Sequence, residues 1–170
     1  MAGIGNIFFG DDGFGSEAAR RLAERALPDG VSVVDYGIRG MHLAYDLLDG
    51  YDALIIVDAM PGDGKPGDLQ VIEVGPDDLG SGEFDAHGME PTAVLSSLDK
   101  LGGTLPPTYV VGCQPADVDE GMGLTPSVAE AVDKAIDAVF DLFAHQLRDI
   151  LSPPAEHTRV SAAAHEGEHA

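Results

Sequence analysis

The run Ala53-Leu54-Ile55-Ile56-Val57-Asp58 constrains the fold more than any other stretch of the sequence. It is continuously apolar up to its last residue, the pattern of a strand buried on both faces rather than one that alternates toward solvent. Such a strand needs helices above and below it, and the rest of the chain can supply them. Residues 31–35, 69–74 and 108–112 read as further strands. Amphipathic helices are expected at 17–26, 41–48, 91–101 and 126–150. The last carries Val128, Val132, Ile136, Val139, Phe140, Phe143, Leu147 and Ile150 on one stripe. Pro91 and Pro126 suit a first helical turn, where a missing N–H costs nothing. A first strand should precede the glycine-rich segment near the N-terminus, but only about five residues are there to form it. It is expected to be very short or clipped by a misplaced start codon. The alternation predicts an α/β fold with a mixed, mostly parallel sheet of about five strands sandwiched between helices.

One connection departs from the parallel pattern. Between Asp58 and Leu69 lies Ala-Met-Pro-Gly-Asp-Gly-Lys-Pro-Gly-Asp, too short and too rich in Gly and Pro for a crossover helix. Strand 69–74 should therefore run antiparallel to strand 53–58. Residues 1–151 are expected to form a single domain, a size sufficient for a proper core. Residues 152–170 carry Pro, Ala, Glu and His without periodicity and read as a disordered tail. Its three histidines, His157, His165 and His169, are expected to be solvated; weak metal binding is the alternative.

The formal net charge of −21 argues against nucleic acid and anionic membrane surfaces as partners. It either keeps the surface solvated and repulsive, or attracts cations or a basic peptide. No stretch is apolar and long enough to span a bilayer. The first residues lack the basic and apolar regions of a secretory signal. Cys113 is the single cysteine, which excludes an intrachain disulfide and a cysteine-rich zinc site. A cytoplasmic protein is the expectation.

The segment Gly3-Ile4-Gly5-Asn6-Ile7-Phe8-Phe9-Gly10-Asp11-Asp12-Gly13-Phe14-Gly15 leads straight into a helix. Its spacing misses the dinucleotide fingerprint, because Phe8 stands where the third glycine belongs. Asp11 and Asp12 would repel a pyrophosphate and suit a cation, or they favour the turn and the helix N-terminus. Asp58 ends the most buried strand, where a carboxylate needs hydrogen bonds or a cation. Asp12 and Asp58 both follow the carboxyl ends of strands, the edge at which open α/β sheets collect ligands. His87 lies in the loop Glu83-Phe84-Asp85-Ala86-His87-Gly88-Met89-Glu90. If strand 69–74 runs down, residues 75–86 can carry the chain back, since twelve extended residues reach roughly 40 Å against a strand length of about 17–20 Å. Asp12, Asp58 and His87 then share one rim. Such a set suits a first-row divalent ion, Ni²⁺ or Zn²⁺, without choosing between them. Neither an H-E-x-x-H helix nor a G-x-S-x-G elbow is present. Cys113, at the end of a buried strand, reads as a core residue rather than a nucleophile.

Taken in order, these segments resemble the hydrogenase maturation protease family. The match rests on Gly3-Ile4-Gly5-Asn6 with Gly10-Asp11-Asp12-Gly13-Phe14-Gly15, on Gly40-Met41, on Ile56-Val57-Asp58-Ala59, on the His87 loop and on Gly112-Cys113-Gln114-Pro115. It covers residues 3 to 145. The resemblance implies a sheet between helices and an endopeptidase that removes a short C-terminal peptide from the nickel-loaded large-subunit precursor of a nickel–iron hydrogenase. By position it makes Asp12, Asp58 and His87 the metal-binding residues, with nickel supplied by the precursor. Some members carry Glu at the first position, so Asp12 would reach one methylene less far. A clipped first strand would also displace Asp12. Asp35 matches an acid at the end of the second strand that is a candidate for catalysis; a turn former is the alternative. Two rival readings are a non-catalytic, metal-dependent chaperone that holds the precursor without cutting it, and a nucleotide-binding domain.

Overall fold

A computed structural model of the 170-residue chain describes residues 1–75, 78, 95 and 98–152. Five strands form one sheet: β1 (Ala2–Ile4), β2 (Val34–Gly37), β3 (Leu54–Ala59), β4 (Leu69–Val74) and β5 (Thr108–Cys113). Their order across the sheet is β2-β1-β3-β5-β4. Pairing is parallel throughout except between β4 and β5, so the sheet is mixed and mostly parallel, as predicted. β4 runs against β3 but does not pair with it. β5 lies between them, in register from Leu54↔Thr108 to Ala59↔Cys113 on one side and from Val74↔Thr108 to Leu69↔Cys113 on the other.

Helices cover both faces, and the alternation of side chains along the central strands divides the core accordingly. Ile55, Val57 and Ala59 of β3, with Tyr109, Val111 and Cys113 of β5, pack on α1 (Phe14–Leu22) and α3 (Pro126–His145). Leu54, Ile56 and Val110 face the other way, onto Leu43, Ala44 and Leu47 of α2 (Gly40–Leu47). Leu95 and Leu98 are buried in this second cluster. No helix among the described residues is long and apolar enough to cross a membrane.

Several boundaries differ from the sequence reading. β2 starts three residues later than expected and places Asp35 inside the strand. Its pairing with β1 begins at Ala2↔Val34, while Val31 N–H turns back to the Pro28 carbonyl at 3.2 Å. β1 itself is short, three residues, yet pairs on both sides. α1 begins at Phe14 because its buried stripe of Phe14, Ala18 and Leu22 begins there. The expected helix 126–150 is two helices. Leu147 N–H reaches the Leu142 carbonyl five residues back, at 2.9 Å, which opens the turn at the end of α3 before the short α4 (Arg148–Leu151). Leu147 thereby stays buried, whereas Ile150 is 42% exposed. Residues 91–94, 96 and 97 of the expected helix at 91–101 lie outside the described residues, and its end, Asp99–Leu101, is a 3-10 turn. Tail residues 153–170, with His157, His165 and His169, also lie outside them.

Candidate active site

The glycine-rich segment owes its shape to two close approaches. A Cβ on Gly15 would stand 2.1 Å from the Val57 carbonyl oxygen and 2.2 Å from that of Ile4, so α1 can press its first turn onto β1 and β3 only through a glycine. Gly5, just past β1, has φ +135° and would drive a Cβ into the Asp12 carbonyl. Between them the chain forms a 3-10 turn at Gly10–Gly13, packed against β3.

That turn presents its two acids in different directions. Asp12, half-buried, accepts the Asn6 N–H on Oδ2 at 2.9 Å. Asn6 Oδ1 in turn accepts the Phe8 N–H at 3.0 Å, so the loop after β1 is bonded to itself around Asp12. Asp11 points inward and is fully buried. Its carboxylate accepts four bonds from the chain after β5: Ala116 N–H (2.8 Å), Asp117 N–H (3.0 Å), Thr125 N–H (2.7 Å) and Thr125 Oγ–H (2.9 Å). Burial opposes its ionisation, but the Thr125, Ala116 and Asp117 amides and the Thr125 hydroxyl outweigh this and hold the carboxyl below its ordinary value. Thr125 precedes Pro126 at the start of α3, and its hydroxyl serves Asp11 rather than capping its own helix.

Asp58 occupies the penultimate position of β3, 4% exposed, opposite Gly112. Its Oδ1 accepts the Ala59 N–H at 2.8 Å. Strand alternation puts its side chain on the face of Leu54 and Ile56, the α2 side. The β3 end and the turn bearing Asp12 thus bring two carboxylates to the carboxyl-terminal rim of the sheet from separate elements. His87 lies outside the described residues. Among the described residues no group of three His, Cys, Asp or Glu side chains is placed to hold a metal ion.

Asp35 is exposed and acts as a turn former. Its Oδ1 accepts the Gly37 N–H at 2.9 Å and the Ser16 Oγ–H at 2.8 Å, tying the end of β2 to α1. Cys113 is fully buried, as the sequence reading expected. Burial, and then the charge of Asp11, push its thiol up to about 11, which leaves it unreactive at neutral pH. The residue that sequence reasoning undervalued is Asp11. The only signal for it was the doubled acid in a glycine-framed turn.

Comparison with known proteins places the chain in a family. The family model described as hydrogenase maturation protease matches residues 16–142. A Methanocaldococcus jannaschii protein provisionally named a hydrogenase maturation protease is 38% identical over 146 residues, covering 82% of this chain and 92% of its own length. The solved structure of the hydrogenase maturating endopeptidase HybD from E. coli superposes with a TM-score of 0.73 at 29% identity, over 85% of this chain and 91% of that one. A hydrogenase 2 maturation peptidase from a Thaumarchaeota archaeon gives 0.66 at 30% identity, over 84% and 96%. A family model over most of the chain, a relative 38% identical over 146 residues and the superposed peptidase folds agree: this chain belongs to the hydrogenase maturation protease family.

Proposed function

We propose that this chain removes the C-terminal extension from the nickel-loaded large-subunit precursor of a nickel–iron hydrogenase, in the cytoplasm. Nickel held by the precursor is part of the substrate, and Asp12, Asp58 and His87 share it. The observation that carries this reading is the pair of carboxylates at one rim. Asp58 is almost fully buried at a strand end, and the 3-10 turn that carries Asp12 packs on the same strand. Two carboxylates and an imidazole form a donor set suited to a first-row divalent ion. Ionised carboxylates in a desolvated setting are stabilised by such an ion and supply the attraction that an empty precursor lacks.

The chain's own contribution is orientation. Asn6 N–H fixes Oδ2 of Asp12, and Ala59 N–H fixes Oδ1 of Asp58, so both acids meet the substrate in set rotamers. Holding the scissile peptide against a rim built this way lowers the entropic part of the barrier. Nickel held between the precursor and Asp12, Asp58 and His87 would supply Lewis-acid polarisation of the adjacent carbonyl or of a water. Asp35 is assigned to shaping the β2 end, because Gly37 and Ser16 both bond to it.

Mass spectrometry of the large subunit tests the reading. With wild-type protein in nickel-replete extract the subunit should be shortened; in nickel-free extract it should stay full length. Asp12→Asn and Asp58→Asn keep an oxygen that accepts the fixing N–H but lose the negative charge. Each, like His87→Ala, should cut processing by at least about 100-fold while the protein still folds. Normal processing by all three variants would remove the site, and an uncut precursor in a stable complex with wild type would make the chain a chaperone.

A further inference from the structure

We propose that the loops beyond β1 and β5 form one apolar ridge that docks the body of the precursor, a protein face presenting apolar residues flanked by lysine or arginine. This rests on the processing role proposed above. The ridge consists of Ile7 (47% exposed), Phe8 (58%), Phe9 (43%), Val118 (48%) and Met122 (75%). These are five large apolar side chains on two loops, whereas the same loops bury Asp11 completely.

The two loops form one surface. Phe9 and Gly121 make a parallel β-bridge, Gly121 N–H donates to the Phe8 carbonyl at 2.8 Å, and Gly10 N–H donates to the Gly121 carbonyl at 2.8 Å. Met122 follows Gly121 directly, and it lines with Ile7 an open groove of about 360 Å³. Asp11 clamps this junction through its four bonds, so the apolar side chains are held outward on a fixed frame. A preorganised apolar surface of this kind marks an interaction site, because it loses little freedom on binding.

Position and charge select the occupant. Gly10 and Gly13, the ends of the turn that carries Asp12, also line the groove, so the ridge is continuous with the rim. A protein seated on it delivers its chain end to Asp12. Asp117, Asp119 and Glu120 are exposed beside Val118 and Met122, on a chain of net charge −21. A second copy would set these acids against their own images, and an anionic bilayer would meet the same repulsion. A face carrying lysine or arginine around apolar residues complements them.

The double variant Phe8→Ser/Met122→Ser tests the ridge. Both positions are exposed and outside the core, and thermal unfolding checks that the fold is kept. The dissociation constant for purified nickel-loaded precursor is measured alongside cleavage. The variant should bind at least about tenfold more weakly than wild type. Equal affinity, or no binding by wild type, overturns the ridge. So does self-association of wild type in sedimentation, or its binding to phosphatidylglycerol vesicles, if the variant abolishes either while precursor affinity stays unchanged. A wild type that binds tightly, loses affinity in the variant and never cuts leaves the ridge standing and defeats the endopeptidase role.

Discussion

Asp11 and Asp12 are neighbours in sequence with opposite duties. A 3-10 turn has three residues per turn, so consecutive side chains diverge by about 120°. Asp12 is thereby left at the rim while Asp11 enters the junction of two loops. Asp11→Asn places an amide NH₂ either at Oδ1, where the Thr125 N–H points, or at Oδ2, where the Ala116 and Asp117 N–H groups and the Thr125 hydroxyl point, and so leaves at least one buried N–H without an acceptor. The expected loss is about 1–3 kcal/mol at pH 7 by denaturant unfolding, against a small change for Asp12→Asn. The pH dependence follows from the direction of the shift. Asp11 ionises below its ordinary value when folded, so its stabilisation is present above the unfolded value and fades as pH falls through the folded one. The gap between wild type and Asp11→Asn should therefore narrow in acid. A gap that widens below pH 4 would show the carboxylate to be unfavourable where it lies. The doubled acid was legible as a turn feature in the sequence. Which acid faces inward was not, because that depends on the turn type and on Thr125, more than a hundred residues away.

At the scale of elements, the close seating of α1 on β1 and β3 decides where the rim lies. Gly15→Ala should destabilise by about 1–3 kcal/mol, because the new methyl meets two strand carbonyls that cannot move without breaking the sheet. Gly121→Ala, where a Cβ meets nothing within 4 Å, should stay within about 0.5 kcal/mol. Similar thermal unfolding of the two variants would mean that α1 shifts freely on the sheet. β3, β4 and β5 were readable within one residue at their ends, since buried strands leave unbroken or alternating apolar runs. The insertion of β5 between β3 and β4 was not readable. The short Gly- and Pro-rich link after Asp58 fixes the direction of β4 but says nothing about its neighbour. β2 was misplaced by three residues because Val31, Val33 and Val34 all have strand propensity, and only pairing with the short β1 selects among them. Asp35 read as a strand-end acid for the same reason. His87, the third residue proposed for the site, lies outside the described residues.

Over the whole molecule, charge outweighs every other surface property. Thirty acids against nine Lys and Arg give −21, and Arg20, Arg21 and Arg25, on α1 and just past its end, pair with Glu17, with Glu24 and, across on α3, with Asp133. Little positive charge remains to meet a partner. A uniform negative field does not specify a fold, but it raises the encounter rate with a basic face and repels other copies. Between about 0.01 M and 1 M salt the Debye length shrinks from about 30 Å to about 3 Å, so steering is lost while short apolar contacts persist. Processing at low precursor concentration should then slow by about tenfold or more, with kcat at saturation nearly constant. Replacing Asp117, Asp119 and Glu120 by their amides should flatten the salt dependence and start from the slower rate. A charge that only keeps the protein dispersed predicts something else: kcat/KM indifferent to salt, the triple variant matching wild type at every ionic strength, and aggregation as the sole consequence of screening. The two outcomes separate in one titration, because steering acts before contact and dispersion acts on the free protein alone.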